Sequence, residues 1–126
     1  MYRAYGLLPP DCPFTLDDAA ARLRARFPDA AVSQAGAQVT VQKGDWEIEL
    51  ILNAGPAALA ESVEMAERIA GLEDGQGLAR CDRRVEVWSD TPDPFVEHLA
   101  DFHTVVEVLR SFPGVVAVDP DGPALM

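Results

Sequence analysis

From Glu86 to His98 the chain gathers four carboxylates and one imidazole: Glu86, Asp90, Asp93, Glu97 and His98. The surrounding run is Arg83-Arg84-Val85-Glu86-Val87-Trp88-Ser89-Asp90-Thr91-Pro92-Asp93-Pro94-Phe95-Val96-Glu97-His98. It predicts a short strand, a turn stiffened by two prolines, and the first turn of a helix. On a catalytic reading, His98 is the general base, oriented by Asp90 or Asp93 and assisted by Glu97. The plain alternative is a half-buried histidine that hydrogen-bonds to the turn or to Asp101. Asp93, Glu97 and Asp101 follow one another at helical spacing. They would offer oxygens to a divalent cation if Asp93 were already helical. Asp93 fits better as a helix cap with Pro94 at the first helical position. The other carboxylates then form a solvated edge, and no metal or cofactor is expected.

Other chemistries lack their motifs. Ser33, Ser62, Ser89 and Ser111 sit in no Gly-x-Ser-x-Gly context. Gly71, Gly75 and Gly77 have neither the spacing nor the following helix of a nucleotide loop. Cys12 and Cys81 do not form a zinc spacing and are expected to stay reduced. Enzyme activity is therefore the second reading, not the first.

Trp88 carries the first reading. Val85 and Val87 share one strand face, so Glu86 and Trp88 share the other. If helices cover the valine face, Trp88 stands on the open face among carboxylates. That patch, Trp88 with Glu86, Asp90 and Glu97, suits a basic protein partner: the aromatic anchors and the charge steers. The bland alternative packs Trp88 under a loop or the third helix.

The charge agrees with a cationic partner. The chain carries a net charge of −11, which disfavours a nucleic-acid ligand because phosphate binding needs clustered cations. Its basic residues are nine Arg and one Lys, with abundant Ala, a bias that points to a GC-rich bacterial genome. No apolar run reaches the roughly 18 residues of a membrane span, and the N-terminus lacks a signal-peptide core, so a cytoplasmic protein is expected. Monomer and homodimer both remain open.

At 126 residues, positions 1–126 are expected to form one domain. Arg3 to Leu8 reads as a first strand. Thr15 caps a helix whose stripe is Leu16, Ala20, Leu23 and Phe27. The period then changes to two, with Val39 and Val41, a Lys43-Gly44-Asp45 turn, and Trp46, Ile48 and Leu50; Val32 marks a further short strand. Leu59, Val63, Ala66 and Ala70 stripe a second helix, and Gly71 to Arg80 is the loosest loop. After the strand at Val85, a third helix runs from about Asp93 to Phe112, with core stripe Phe95, Leu99, Phe102, Val106 and Leu109. Val115 to Val118 is the last strand. This order predicts an α+β fold: a mostly antiparallel sheet with helices on one face, in ferredoxin-like βαββαβ order plus a C-terminal αβ unit. Function is then expected to be that of a non-catalytic binding module, of the kind that neutralises a basic toxin or regulates a partner.

Overall fold

The computed structural model describes residues 2–68, 79–121 and 124–126. Ala70 of the expected second-helix stripe, and positions 71–78 of the loop expected from Gly71 to Arg80, lie outside the described residues. In chain order the elements are β1 (Tyr2–Leu8), α1 (Leu16–Arg26), β2 (Ala31–Ala35), β3 (Gln38–Lys43), β4 (Trp46–Ala54), α2 (Pro56–Arg68), β5 (Arg83–Ser89), α3 (Leu99–Arg110), β6 (Val116–Asp119) and β7 (Ala124–Leu125). The strands form one sheet in the order β2-β3-β4-β5-β1-β6-β7, and every pairing is antiparallel. The α+β class therefore holds, and the strand expected at Val32 is β2.

The ferredoxin-like arrangement would seat β4 directly beside β1. Here β5 lies between them. It pairs with β1 from Tyr2–Ser89 to Leu8–Arg83, and with β4 from Glu49–Trp88 to Ala54–Arg83. Its alternation fits that central slot: Val85 and Val87 face the same side as Ala4 and Leu8 of β1 and Ile48 and Leu50 of β4, and all are buried.

α1 begins where expected. The Thr15 hydroxyl accepts from the Asp18 amide at 3.1 Å, and Asp17 and Asp18 sit at the positive end of the helix dipole. Leu16, Ala20, Leu23 and Phe27 are buried against β3, β4 and α3. α3 approaches β1 closely at Gly6, where an added Cβ would lie 3.2 Å from the Leu109 side chain.

The helices do not share one face. α1 and α3 pack on the valine face, but α2 lies on the opposite one. There Met65 and Ala66 pack with Tyr5, Leu7, Cys81, Val116 and Val118. The buried side of α2 is Ala58 and Ser62, whereas the predicted stripe residues Leu59 and Val63 are 39% and 40% exposed. Small residues let the helix lie close over the sheet, and the Ser62 hydroxyl is satisfied by the Ala58 carbonyl at 3.0 Å. Neither cysteine is in a disulfide, and both are buried. Burial, helped by the charge of Asp82 and by Cys12, pushes the Cys81 thiol up to about 11. Among the described residues no helix is long and apolar enough to cross a membrane.

α3 starts at Leu99, not near Asp93. The Asp93 carboxylate accepts from the amides of Glu97 (3.0 Å) and His98 (2.9 Å) and from the Tyr2 hydroxyl (2.6 Å). It thus holds a turn ahead of the helix, and Val96 within it has φ +56°. A residue in that conformation cannot be part of a right-handed helix. Phe95 is displaced from the core as a result: it is 82% exposed, with Val96 at 55% and Leu99 at 37%.

Candidate protein-interaction site

Strand register builds this site. On the face of β5 away from α1 and α3, Trp88 sits between Arg3 of β1 and Glu49 of β4, and Glu86 sits between Tyr5 and Ile51. α2 covers one part of that face and leaves Trp88 half-buried. Two shallow depressions flank the indole. One, of about 330 Å3, is lined by Arg3, Tyr5, Glu86, Val87, Trp88 and Asp90. The other, of about 170 Å3, is lined by Glu47, Glu49, Trp88, Ser89, Asp90 and Thr91. The Ser89 hydroxyl donates to the Glu47 carbonyl at 2.5 Å, which ties the end of β5 to β4 and fixes where Asp90 emerges.

The charges around Trp88 divide into two sets. Glu86 accepts from Arg84 at 2.5 Å, Arg84 also pairs with Glu61, and Arg3 pairs with Asp121 at 2.9 Å. Those charges are neutralised locally. Glu47, Glu49 and Asp90 have no cationic partner among the described residues. Partial burial raises the Glu49 carboxyl above its ordinary value of 4.5; hydrogen bonding with Glu47 and the charges of Glu47 and Asp90 push it the same way. Such like-charge crowding is relieved by a proton or by an incoming cation.

The structure brings Trp88, Glu86 and Asp90 together, as the sequence pattern leads one to expect. Glu97 stands apart: it lies in the turn before α3 and lines neither depression. Glu47, Glu49, Arg3 and Tyr5 join the site only through strand pairing. Alternation marks Glu47 and Glu49 as solvent-facing, but nothing local in the sequence says that β4 lies beside β5.

Of the alternative catalytic and metal residues, Asp90 lies beside Trp88, whereas His98, Asp93 and Asp101 are engaged elsewhere. The His98 ring stacks on Trp46 with centroids 4.7 Å apart and planes 4° apart, on the helix-covered side of the sheet. Its Nδ1 is 2.9 Å from Asp101 Oδ2, and Asp101 also accepts from Lys43 Nζ at 3.0 Å. Tyr2 and Phe102 continue the aromatic packing, with centroids 5.2 Å apart. His98 thus sits as the packed, Asp101-bonded histidine of the plainer reading. Asp93, whose three hydrogen bonds hold the turn, and Asp101, which holds His98 and Lys43, do not converge with Glu97 on one point. No three His, Cys, Asp or Glu side chains gather as metal ligands among the described residues. No protein-family model, no curated protein and no solved structure matches this chain.

Proposed function

We propose that this chain is a non-catalytic, cytosolic binding module whose open sheet face around Trp88 receives a basic protein. Such a module would act by occupying its partner, as an immunity-like or regulatory protein does. One observation carries the reading: a half-buried indole stands beside Glu47, Glu49 and Asp90 on a sheet face where, among the described residues, nothing covers it and no cation neutralises them. Aromatic anchors in partly desolvated surroundings supply much of the energy of protein interfaces, and an excess of one charge speeds encounter with the opposite sign. The net charge of −11 supports the same sign of partner.

A small hydrolase-like or metal-assisted enzyme using His98 with Asp90, Asp93 or Glu97 is the competing reading. The packing of His98 between Trp46 and Asp101 favours a structural role for that ring. The test is affinity capture from bacterial lysate with the wild-type chain and with Trp88→Ala as baits. A basic protein retained by the first and lost by the second is the expected result. The reading fails if no protein is retained while a divalent ion raises the Tm of the wild type but not of Asp93→Ala.

A further inference from the structure

The chemistry of the partner group is legible in the same surface. We propose that the open face docks an extended, arginine-bearing segment, with one guanidinium laid on the Trp88 indole and held by Glu49, Glu47 and Asp90. This rests on the protein-binding reading above and names the group that would be bound.

The Glu49 side of Trp88 is acidic and, among the described residues, uncompensated. Across β4, Glu47 and Glu49 are two residues apart and project to the same side. Asp90 follows Trp88 by two residues, and all three line the depression of about 170 Å3 that Trp88 closes on one side. Of the cations on this face, Arg3 and Arg84 are engaged, and Arg68 of α2 lines a separate depression with Glu61 and Glu64. Arg3 flanks Trp88 on the β1 side and turns to Asp121 and the Tyr5 hydroxyl, at 2.9 and 3.4 Å. Arg84 binds Glu86 and Glu61 and lies over the Tyr5 ring. An incoming cation therefore meets net negative charge on the β4 side of the indole.

Three features select a guanidinium. A planar cation can stack on an indole and still present its N–H edge to carboxylates, which a compact ammonium cannot do. Carboxylates accept the guanidinium fork in bidentate fashion, and two neighbouring carboxylates offer that geometry. The depression is open to the surface rather than enclosed, so it admits a side chain from a segment lying on the sheet rather than a fully enclosed small molecule. A phosphate-bearing ligand would face the same three carboxylates and be repelled.

The probe is a short peptide carrying two arginines among serines and glycines, beside counterparts with lysine or citrulline in their place. Binding is followed by isothermal titration calorimetry, which needs no tryptophan reporter, at about 150 mM salt, where long-range charge attraction is largely screened. The expected result is saturable binding of the arginine peptide, about tenfold weaker with lysine and absent with citrulline. Trp88→Ala should abolish it, and Glu49→Gln should weaken it about tenfold. Glu49→Gln removes a crowded charge and leaves the ladder intact, so it should melt no lower than the wild type. Its lost binding then cannot be blamed on unfolding. Equal binding of arginine and citrulline peptides, equal binding of lysine, or binding unchanged in Trp88→Ala would each overturn the inference. If the peptide fails while Trp88→Ala still loses a captured protein, arginine docking falls and the protein-binding reading stands.

Discussion

At Val96 the backbone adopts a conformation that a β-branched side chain resists. Its φ of +56° is the only positive φ of a non-glycine among the described residues. Left-handed backbone at such a residue costs on the order of 1–3 kcal/mol and persists only when its surroundings hold it. Here the holder is Asp93, through Glu97, His98 and Tyr2. Val96→Gly should therefore raise stability by about 1 kcal/mol, after glycine's extra unfolded-state entropy is subtracted. A chemical-denaturation midpoint that falls in Val96→Gly would contradict the assignment. Asp93 itself carries a pH signature. Burial alone would raise its carboxyl, but the Tyr2 hydroxyl, the two amides and His98 outweigh that and hold it below its ordinary value of 3.8. A depressed carboxyl contributes stability that is full above its unfolded pKa and is lost as pH falls through the folded one. The margin in Tm between the wild type and Asp93→Asn should thus be widest near neutrality and shrink below about pH 4. The mirror effect falls on Tyr2, whose hydroxyl the Asp93 hydrogen bond, aided by burial and by the Asp93 charge, pushes up to about 12. The bond it gives Asp93 is retained below about pH 10 and lost as pH rises through that raised value.

At the scale of elements, local signals were legible and non-local ones were not. Thr15 and the stripe from Leu16 to Phe27 declare α1 because cap and period are written in adjacent residues. The Gly44 turn and the alternation from Val39 to Leu50 declare the β3–β4 hairpin for the same reason. The slot of β5 between β4 and β1 depends on which edges meet in space, and periodicity is silent on that. Phe95 misled because its spacing matches the core stripe of α3, and only the carboxylate of Asp93 delays the helix past it. Phe14, just before α1, is by contrast buried against Phe112 with centroids 4.7 Å apart. Within the site, Glu86, Trp88 and Asp90 followed from alternation on one strand, whereas Glu47 and Glu49 required the unreadable β4–β5 pairing. Arg83 is another non-local residue. From β5 its guanidinium donates to the carbonyls of Pro9 (3.1 Å), Cys12 (3.0 Å) and Phe14 (3.5 Å), which organises the connection from β1 to α1. Hydrogen bonds to a charged group are each worth about 1.5–3 kcal/mol. Arg83→Met should lower unfolding free energy by about 2 kcal/mol in urea melts. A loss within about 0.5 kcal/mol, the range of ordinary surface substitutions, would show that the loop holds itself.

At the scale of the molecule, two helices cover one sheet face and a third covers part of the other. The remainder of that second face is acidic around a single tryptophan, on a chain of net charge −11. Charge of this kind gives long-range attraction that salt weakens, while the indole contact is short-range and resists salt. The association rate of a basic partner should therefore fall between low and physiological salt, and its dissociation rate should change less; stopped-flow measurements separate the two. Partner contact is proposed on the Trp88 face and not at the His98 corner. The most direct measurement is a map of backbone and indole NMR shift changes as the arginine peptide is added. Changes concentrated at Glu47, Glu49, the Trp88 indole and Asp90 are the expected result. Changes confined to Asp93, Glu97, His98 and Asp101, with the Trp88 indole unmoved, would contradict it.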